Sequence, residues 1–463
     1  MFEHMKGQII TAKCVDLSFE GKGVAKYEKG VVFVDGLFPG EEAEIEINYV
    51  RAGTSFGVIK KLITPSKDRI QPQCPVCTAC GGCQFQQLSY PAQLEYKKNK
   101  VKNAFLRTAK MDVKVNDVLG MDDPYFYRNK IQMPVGTDRL GKIVTGFYKA
   151  NSHVIVPIEK CYIEDERSSP ILKTIRELMK EIRVEPYDED KRTGVIRHIL
   201  IRASYYKKQI MVVLVTNVNS FPGQRNLVNA LTIKHPEITT IVQNINKRDT
   251  NVILGNHENI LYGKGFIEDS LMGINYQISS KSFYQINPRQ TEKLYKAAIE
   301  AAQLTKDDVV FDAYTGIGTI AILAAKHAKR VIGVEIIYQA VRDAMRNAKH
   351  NGVSNVEFHA ADVSDYIDQM ASEKTAIDVL FMDPPRKGAD ERFLKSVLSL
   401  KPKRIVYVSC EPETLTRDIK LLAGQYSVVS VQPVDMFPQT HHVETVVLLT
   451  IIWNSNNYIS IQN

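Results

Sequence analysis

The chain has 463 residues, 44% of them apolar and 24% charged, and carries a formal net charge of +8. This is the composition of an ordinary globular protein, too long for one hydrophobic core, and it excludes collagenous, disordered and disulfide-stapled miniature chains. No apolar run is long enough to cross a bilayer, the start Met1-Phe-Glu-His-Met-Lys6 lacks the apolar core of a secretion signal, and the positive charge favours a polyanionic partner without specifying one.

The first sixty or so residues read as a small β-barrel. Runs such as Gly30-Val-Val-Phe-Val34 and Ala43-Glu-Ile-Glu-Ile47 alternate apolar and polar positions, and turn signals at Glu20-Gly-Lys-Gly23, Asp35-Gly36 and Pro39-Gly40 separate them. Five or so short strands in this length suit an OB-like barrel, a frequent single-strand RNA platform. Residues 1–63 hold eight Lys/Arg against nine Asp/Glu, so RNA contact requires a local face.

Pro65 to Pro75 is a connector. Cys74, Cys77, Cys80 and Cys83 follow at intervals of three. With seven cysteines in all, this crowding argues for a metal site in a reducing cytoplasm rather than a disulfide framework. The four thiols could bind zinc or hold an iron–sulfur cluster; two zinc knuckles need a longer segment than Thr78-Ala79 between them, which favours a compact cluster. A helical stretch from Tyr90 to about Ala109 carries Lys97, Lys98, Lys100, Lys102 and Arg107, the densest basic run in the chain. From about 120 to 270 the pattern is α+β: a helix spans Ser169 to about Ile182, and Val195–Arg202 and Gln209–Val215 form an antiparallel pair.

The last third changes character. Val309–Asp312, Val331–Glu335, Val356–Phe358, Val379–Asp383 and Arg404–Ser409 are short buried strands, mostly separated by helices, the pattern of a doubly wound parallel sheet. The Asn-rich end after Trp453 reads as a frayed tail. Gly316-Ile-Gly318 after the first strand suits a nucleotide-type ligand at a helix N-terminus, and Glu335, ending the second, can accept both ribose hydroxyls. The glycines alone fit a dinucleotide equally well. Asp312, however, would repel a pyrophosphate and suits a cationic sulfonium, and Asp362 and Asp383 end the next two strands, which together favour S-adenosylmethionine.

Asp383-Pro-Pro-Arg386 is similar to the Asn/Asp-Pro-Pro-aromatic motif of amino-group methyltransferases, with Arg386 in place of the aromatic. Cys410, at the end of the fifth strand, faces the same sheet edge and reads as a nucleophile rather than a small core residue. Carbon 5 of uracil accepts a methyl group only after a thiolate adds to carbon 6, and a base must then remove the carbon 5 proton. Glu444, in His441-His442-Val-Glu444, is the candidate base; the two histidines read as ordinary loop polarity.

Taken with Cys74…Cys80-Gly-Gly-Cys83, Tyr127-Arg-Asn-Lys130, Ser282-Phe-Tyr-Gln285-Ile-Asn287, Asp312-Ala-Tyr314-Thr-Gly and His442-Val-Glu444, these motifs give almost the whole chain a resemblance to the RNA uracil-5-methyltransferases. It is most similar to the iron–sulfur members that act on 23S ribosomal RNA. The resemblance implies a TRAM (OB-like) barrel over 1–64, a central iron–sulfur α+β domain over 74–270, and a class I, Rossmann-like α/β methyltransferase domain over 271–463, with the helix near 90–110 packed on the last. It implies cofactor contacts from Gln285, Tyr314, Glu335, Asp362 and Asp383, Cys410 as nucleophile and Glu444 as proton acceptor. It also implies a [4Fe-4S] cluster on Cys74, Cys80, Cys83 and Cys161, leaving Cys77 extra. Glu411-Pro412 departs from the Asn-Pro common after the nucleophile, and Thr319 from an Asn near the cofactor. The expectation is a cytoplasmic enzyme acting on structured RNA, with no membrane and no obligate protein partner. Transfer RNA as substrate, amino-group methylation and a non-catalytic RNA-binding assembly factor are the alternatives.

Overall fold

The computed structural model describes residues 6–28, 30–51, 53–149, 152–249 and 252–452; the expected tail after Trp453 lies outside them. Five strands, Ile9–Leu17, Gly23–Tyr27, Gly30–Val34, Glu42–Arg51 and Thr54–Thr64, close into a barrel. The period-2 pattern sends Ile10, Ala12, Cys14, Ala25, Val32 and Ile45 inward. Gly57 is required where two walls meet, since a Cβ there would stand 2.3 Å from Ile45 Cγ2. Glu41, fully buried, seats the barrel on its connector. It accepts from Arg69 at 2.5 and 2.7 Å and from the backbone amides of Phe38 and Ser66. Although burial opposes it, the Arg69 bonds lead in holding the Glu41 carboxyl below its usual range.

The central region forms a seven-stranded sheet in the order His257–Tyr262, Ile238–Ile245, Ile210–Thr216, Ile196–Ala203, Lys130–Thr137, Ile143–Tyr148, Ile155–Pro157. The expected pair is present as Ile196–Ala203 antiparallel to Ile210–Thr216, every residue of both strands buried. The expected helix spans Ser168–Glu181.

The second seven-stranded sheet has the order Val356–Ala360, Arg330–Glu335, Val309–Ala313, Val379–Met382, Arg404–Ser409, Glu444–Ile451, Tyr426–Val434. Its first five strands are parallel, Glu444–Ile451 runs antiparallel to them, and Tyr426–Val434 pairs antiparallel with Glu444–Ile451. Alternate residues feed two cores, with Val310, Val331, Phe381 and Val406 on one side and Phe311, Ile332, Leu380 and Ile405 on the other. The second core also takes Val101 and Phe105 from the helix Tyr90–Ala104 and the π-helical turn Phe105–Ala109 that follows it. An early segment thus completes a late domain. Its basic run is not one solvated face: Lys97 and Lys100 are buried while Lys102 and Arg107 are exposed. No helix among the described residues is long and apolar enough to cross a membrane.

Replacing Arg69 by Met would strand the Glu41 carboxylate in the barrel wall. Chemical denaturation should show a loss of about 3–5 kcal/mol, the usual cost of breaking a buried pair from one side; an unchanged midpoint would show that the barrel does not depend on this link.

Candidate active site

The sheet order reverses between Val309–Ala313 and Val379–Met382, and the crevice at the carboxyl ends of these strands is where open α/β sheets bind ligands. A cavity of about 900 Å³ opens there. Gln285, Tyr314, Glu335, Asp362 and Asp383 line it, and so do Cys410 and Glu444. Residues scattered over 160 positions of sequence therefore share one space.

The first strand delivers Asp312, buried and accepting from Thr315 Oγ1 at 2.5 Å. The turn after it uses left-handed backbone at Tyr314 (φ 64°), Gly316 and Gly318. At Gly318 a side chain is excluded twice, by a φ of 82° and by Phe358, whose Cζ would lie 2.8 Å from a Cβ. Glu335 closes the turn from the next strand, accepting from the amides of Gly316 (3.2 Å) and Ile337 (2.9 Å). Each oxygen keeps a further lone pair. Asp362 caps the helix Val363–Ser372 by accepting from Ser364 and Asp365 through Oδ1, so one oxygen is structural. Gln285 is buried, and its backbone carbonyl accepts from Asn129 Nδ2 at 3.0 Å, which ties this side of the cavity to the segment entering the central sheet.

Burial pushes Asp312 and Asp383 each up to about 7. Glu444 is pushed well above its usual range, first by burial and then by Asp383. The Cys410 thiol rises to about 12 through burial and the Glu444 and Asp383 carboxyls, while Arg386 opposes both shifts. A cavity that gathers three buried carboxyls and a thiol is arranged to receive positive charge.

Several lining residues were not foreseen. Phe283 and Ile336, each 67% exposed, place large apolar surface beside Gln285 and Glu335. Arg128 and Lys130 enter from the central sheet, and burial together with Arg202 and Arg128 lowers Lys130 to about 8. His442 lines the cavity and lies 4.1 Å from His441, ring centroid to centroid; burial lowers His442 to about 3 and His441 to about 4. Its place two residues before Glu444 was the available signal, and loop polarity does not describe it.

Cys74 and Cys77 are buried, and Cys80, Cys83 and Cys161 half-buried. Burial, then the neighbouring thiols of Cys80, Cys74 and Cys77, pushes Cys83 up to about 12; Cys161 also rises, through burial, Glu164 and Cys83. Cys161 packs on both sides of the array, with Cys80 against one apolar cluster and with Cys83 against another. Beside it burial pushes the Glu164 carboxyl up to about 8, opposed by Arg128 and by a hydrogen bond with the Cys161 thiol. Among the described residues no three His, Cys, Asp or Glu side chains converge on a single metal ion. By donor chemistry, thiols drawn from two distant segments and packed on neighbouring apolar clusters are compatible with thiolate ligation. Gly82, within the array, also lines the main cavity.

Comparisons with known proteins cover nearly the whole chain. The family described as tRNA (uracil-5-)-methyltransferase matches residues 89–452, and the TRAM domain matches residues 3–60. A Clostridium acetobutylicum protein named an uncharacterized RNA methyltransferase is 45% identical over 438 residues, 94% of this chain and 95% of its own. A similarly named Staphylococcus aureus protein is 43% identical over 447 residues, 96% of this chain and 99% of its own. Among solved structures, the Pyrococcus abyssi tRNA (uracil-54, C5)-methyltransferase in complex with S-adenosyl-L-homocysteine matches with a TM-score of 0.77 and 27% identity, over 95% of this chain and all of the other.

With Asp312 and Asp383 protonated below about pH 7, a cationic ligand must displace protons to bind. Affinity for S-adenosylmethionine should rise as pH increases through that value and then level off. The neutral S-adenosylhomocysteine should show the weaker dependence in parallel calorimetric titrations; equal slopes for the two would remove these carboxyls from sulfonium recognition.

Proposed function

Because this chain belongs to the tRNA (uracil-5-)-methyltransferase family of S-adenosylmethionine-dependent RNA methyltransferases, we propose that it methylates carbon 5 of a uridine in 23S ribosomal RNA through a covalent intermediate on Cys410. The observation that carries this reading is the presence of Cys410 and Glu444 in the cavity lined by the cofactor-type residues. Gln285, Tyr314, Glu335 and Asp383 hold S-adenosylmethionine, with Asp362 near its adenine. When bound, that cofactor supplies a methyl group that a nucleophilic carbon 5 accepts.

The Cys410 thiolate adds to carbon 6, and the electrons of the 5,6 double bond move toward the carbon 4 oxygen, leaving carbon 5 nucleophilic. Once carbon 5 carries the methyl group, the Glu444 carboxylate takes its proton, the double bond re-forms, and the bond from carbon 6 to sulfur breaks to return the thiolate. Arg386 is the cation placed to favour both anionic forms.

The barrel supplies RNA contact from a local face. Phe33, Phe56 and Tyr49 form a cross-strand aromatic row, with centroids 5.8 and 5.5 Å apart. Strand register puts the exposed Lys13, Lys26 and Arg51 near that row. Stacking rings flanked by cations suit single-stranded segments. Ribosomal RNA is favoured by the cysteine array; transfer RNA is the second reading, favoured by the likeness to the Pyrococcus enzyme. Mapping 5-methyluridine in both RNAs from a deletion strain decides between them, according to which one loses the modification.

Cys410→Ala should abolish methylation and adduct, whereas Glu444→Gln should accumulate methylated RNA on the protein as a denaturation-resistant, RNase-sensitive band. A 5-fluorouridine substrate should trap the unmodified enzyme for the same reason. Continued methylation by Cys410→Ala would favour amino-group transfer, and RNA binding without any methyl transfer would indicate an assembly factor.

For the cysteine pocket, Cys74, Cys80, Cys83 and Cys161 hold a [4Fe-4S] cluster. Anaerobically prepared protein should contain about four irons per chain. Cys77→Ser should retain them and Cys161→Ser lose them; stoichiometric zinc, or the reverse pattern, would overturn the assignment.

A further inference from the structure

The segment 435–443, between the last two strands of the catalytic sheet, ends at Glu444 and carries Phe437, Thr440 and His442 to the cavity wall. Most of it is buried, and its polar groups are satisfied largely by residues from early in the chain. Lys97 makes two of these bonds. Its ammonium donates to Asp435 Oδ1 at 2.5 Å and to the carbonyl of Phe437 at 3.0 Å. Asp435 Oδ1 also accepts from the amide of Phe437, and Oδ2 accepts from the Tyr90 hydroxyl. One buried ammonium thus closes the turn Asp435–Phe437, and both members of the ion pair have 0% of their side chain exposed.

Such a pair is rarely the most stable way to fill a core, because desolvating two charges offsets most of their attraction. What it supplies instead is a fixed geometry, in which the ammonium, both carboxylate oxygens and a carbonyl are hydrogen-bonded in one turn. Lys97 makes no hydrogen bond to the strand that leads to the other catalytic group. Cys410 follows that strand, Arg404–Ser409, whose last residue pairs with Thr445.

We propose that Lys97 is a positioning residue for the second half of the reaction, holding through Asp435 and Phe437 the turn that sets Glu444 over carbon 5. The inference rests on the role given to Glu444. In Lys97→Met, a similar volume without the charge, addition by Cys410 and methyl transfer should persist, while release slows on the order of ten- to a hundredfold, as expected for a small misplacement of a reacting group. The readout is the methylated, denaturation-resistant RNA–protein band, measured against total methyl transfer in a single turnover.

A merely structural role would lower the melting temperature and reduce all steps together, without that band; such a result would overturn the proposal. Asp435→Asn keeps the shape of the turn, removes the charge and should accumulate the band to a smaller degree, which preserves the test if Lys97→Met does not fold. S-adenosylhomocysteine affinity should be unchanged in both. Glu444→Gln runs alongside. If it traps RNA and neither Lys97→Met nor Asp435→Asn does, only the positioning role fails; if Glu444→Gln does not trap RNA, the assignment of Glu444 fails and this inference goes with it.

Discussion

A buried loop cannot hydrogen-bond to water, and segment 435–443 lacks the regular structure that would let it satisfy its own backbone. Its carbonyls and amides must be met from elsewhere, and much of the architecture answers that requirement. The Phe85 amide donates to Gln439 O, Tyr127 Oη to Pro438 O, Asn287 Nδ2 to Met436 O, Gln290 Nε2 to Asp435 O and Lys100 Nζ to His441 O. Gln93 and Gln439 exchange a reciprocal pair of bonds. The helix Tyr90–Ala104, the segment after the cysteine array and the segment leading into the central sheet all converge on this loop at the cavity wall.

The same burial that demands these bonds sets the chemistry. Carboxyls at Asp312, Asp383 and Glu444 and the thiol at Cys410 are all shifted toward their neutral forms, foremost by loss of solvent. Burial thus holds both the Cys410 thiol and the Glu444 carboxyl toward the neutral form. Arg386 opposes both shifts without cancelling them, and added positive charge in the cavity would act in the same direction.

The cysteine pocket is mechanically continuous with that cavity. Cys161 begins a segment whose Ile163 carbonyl accepts from the amide of Arg128, and Asn129 next in line holds Gln285 through its backbone carbonyl. Whatever fixes Cys161 against the Cys74–Cys83 array therefore fixes Arg128, Lys130 and Gln285 as well.

The sequence by itself determined the elements whose partners are local. Period-2 alternation located the barrel strands at Gly30–Val34 and within Glu42–Arg51, Arg404–Ser409 was bounded as found, and acids at successive strand ends pointed to the cavity because a parallel sheet places those ends on one edge. Cys410 and Glu444 were legible for the same reason, with the resemblance naming their roles. The tertiary structure alone decided which lysines of the basic helix are buried, that His442 and Phe283 face the ligand space, that Tyr426–Val434 is the sheet's edge strand, and that Arg128 and Lys130 reach the site from another sheet. Lys97 and Asp435 lie 338 residues apart, and hydropathy patterning reports only on neighbours within a turn or two. A lysine reads as solvent-facing unless its counter-charge is visible, and here only the folded chain brings that carboxylate within reach.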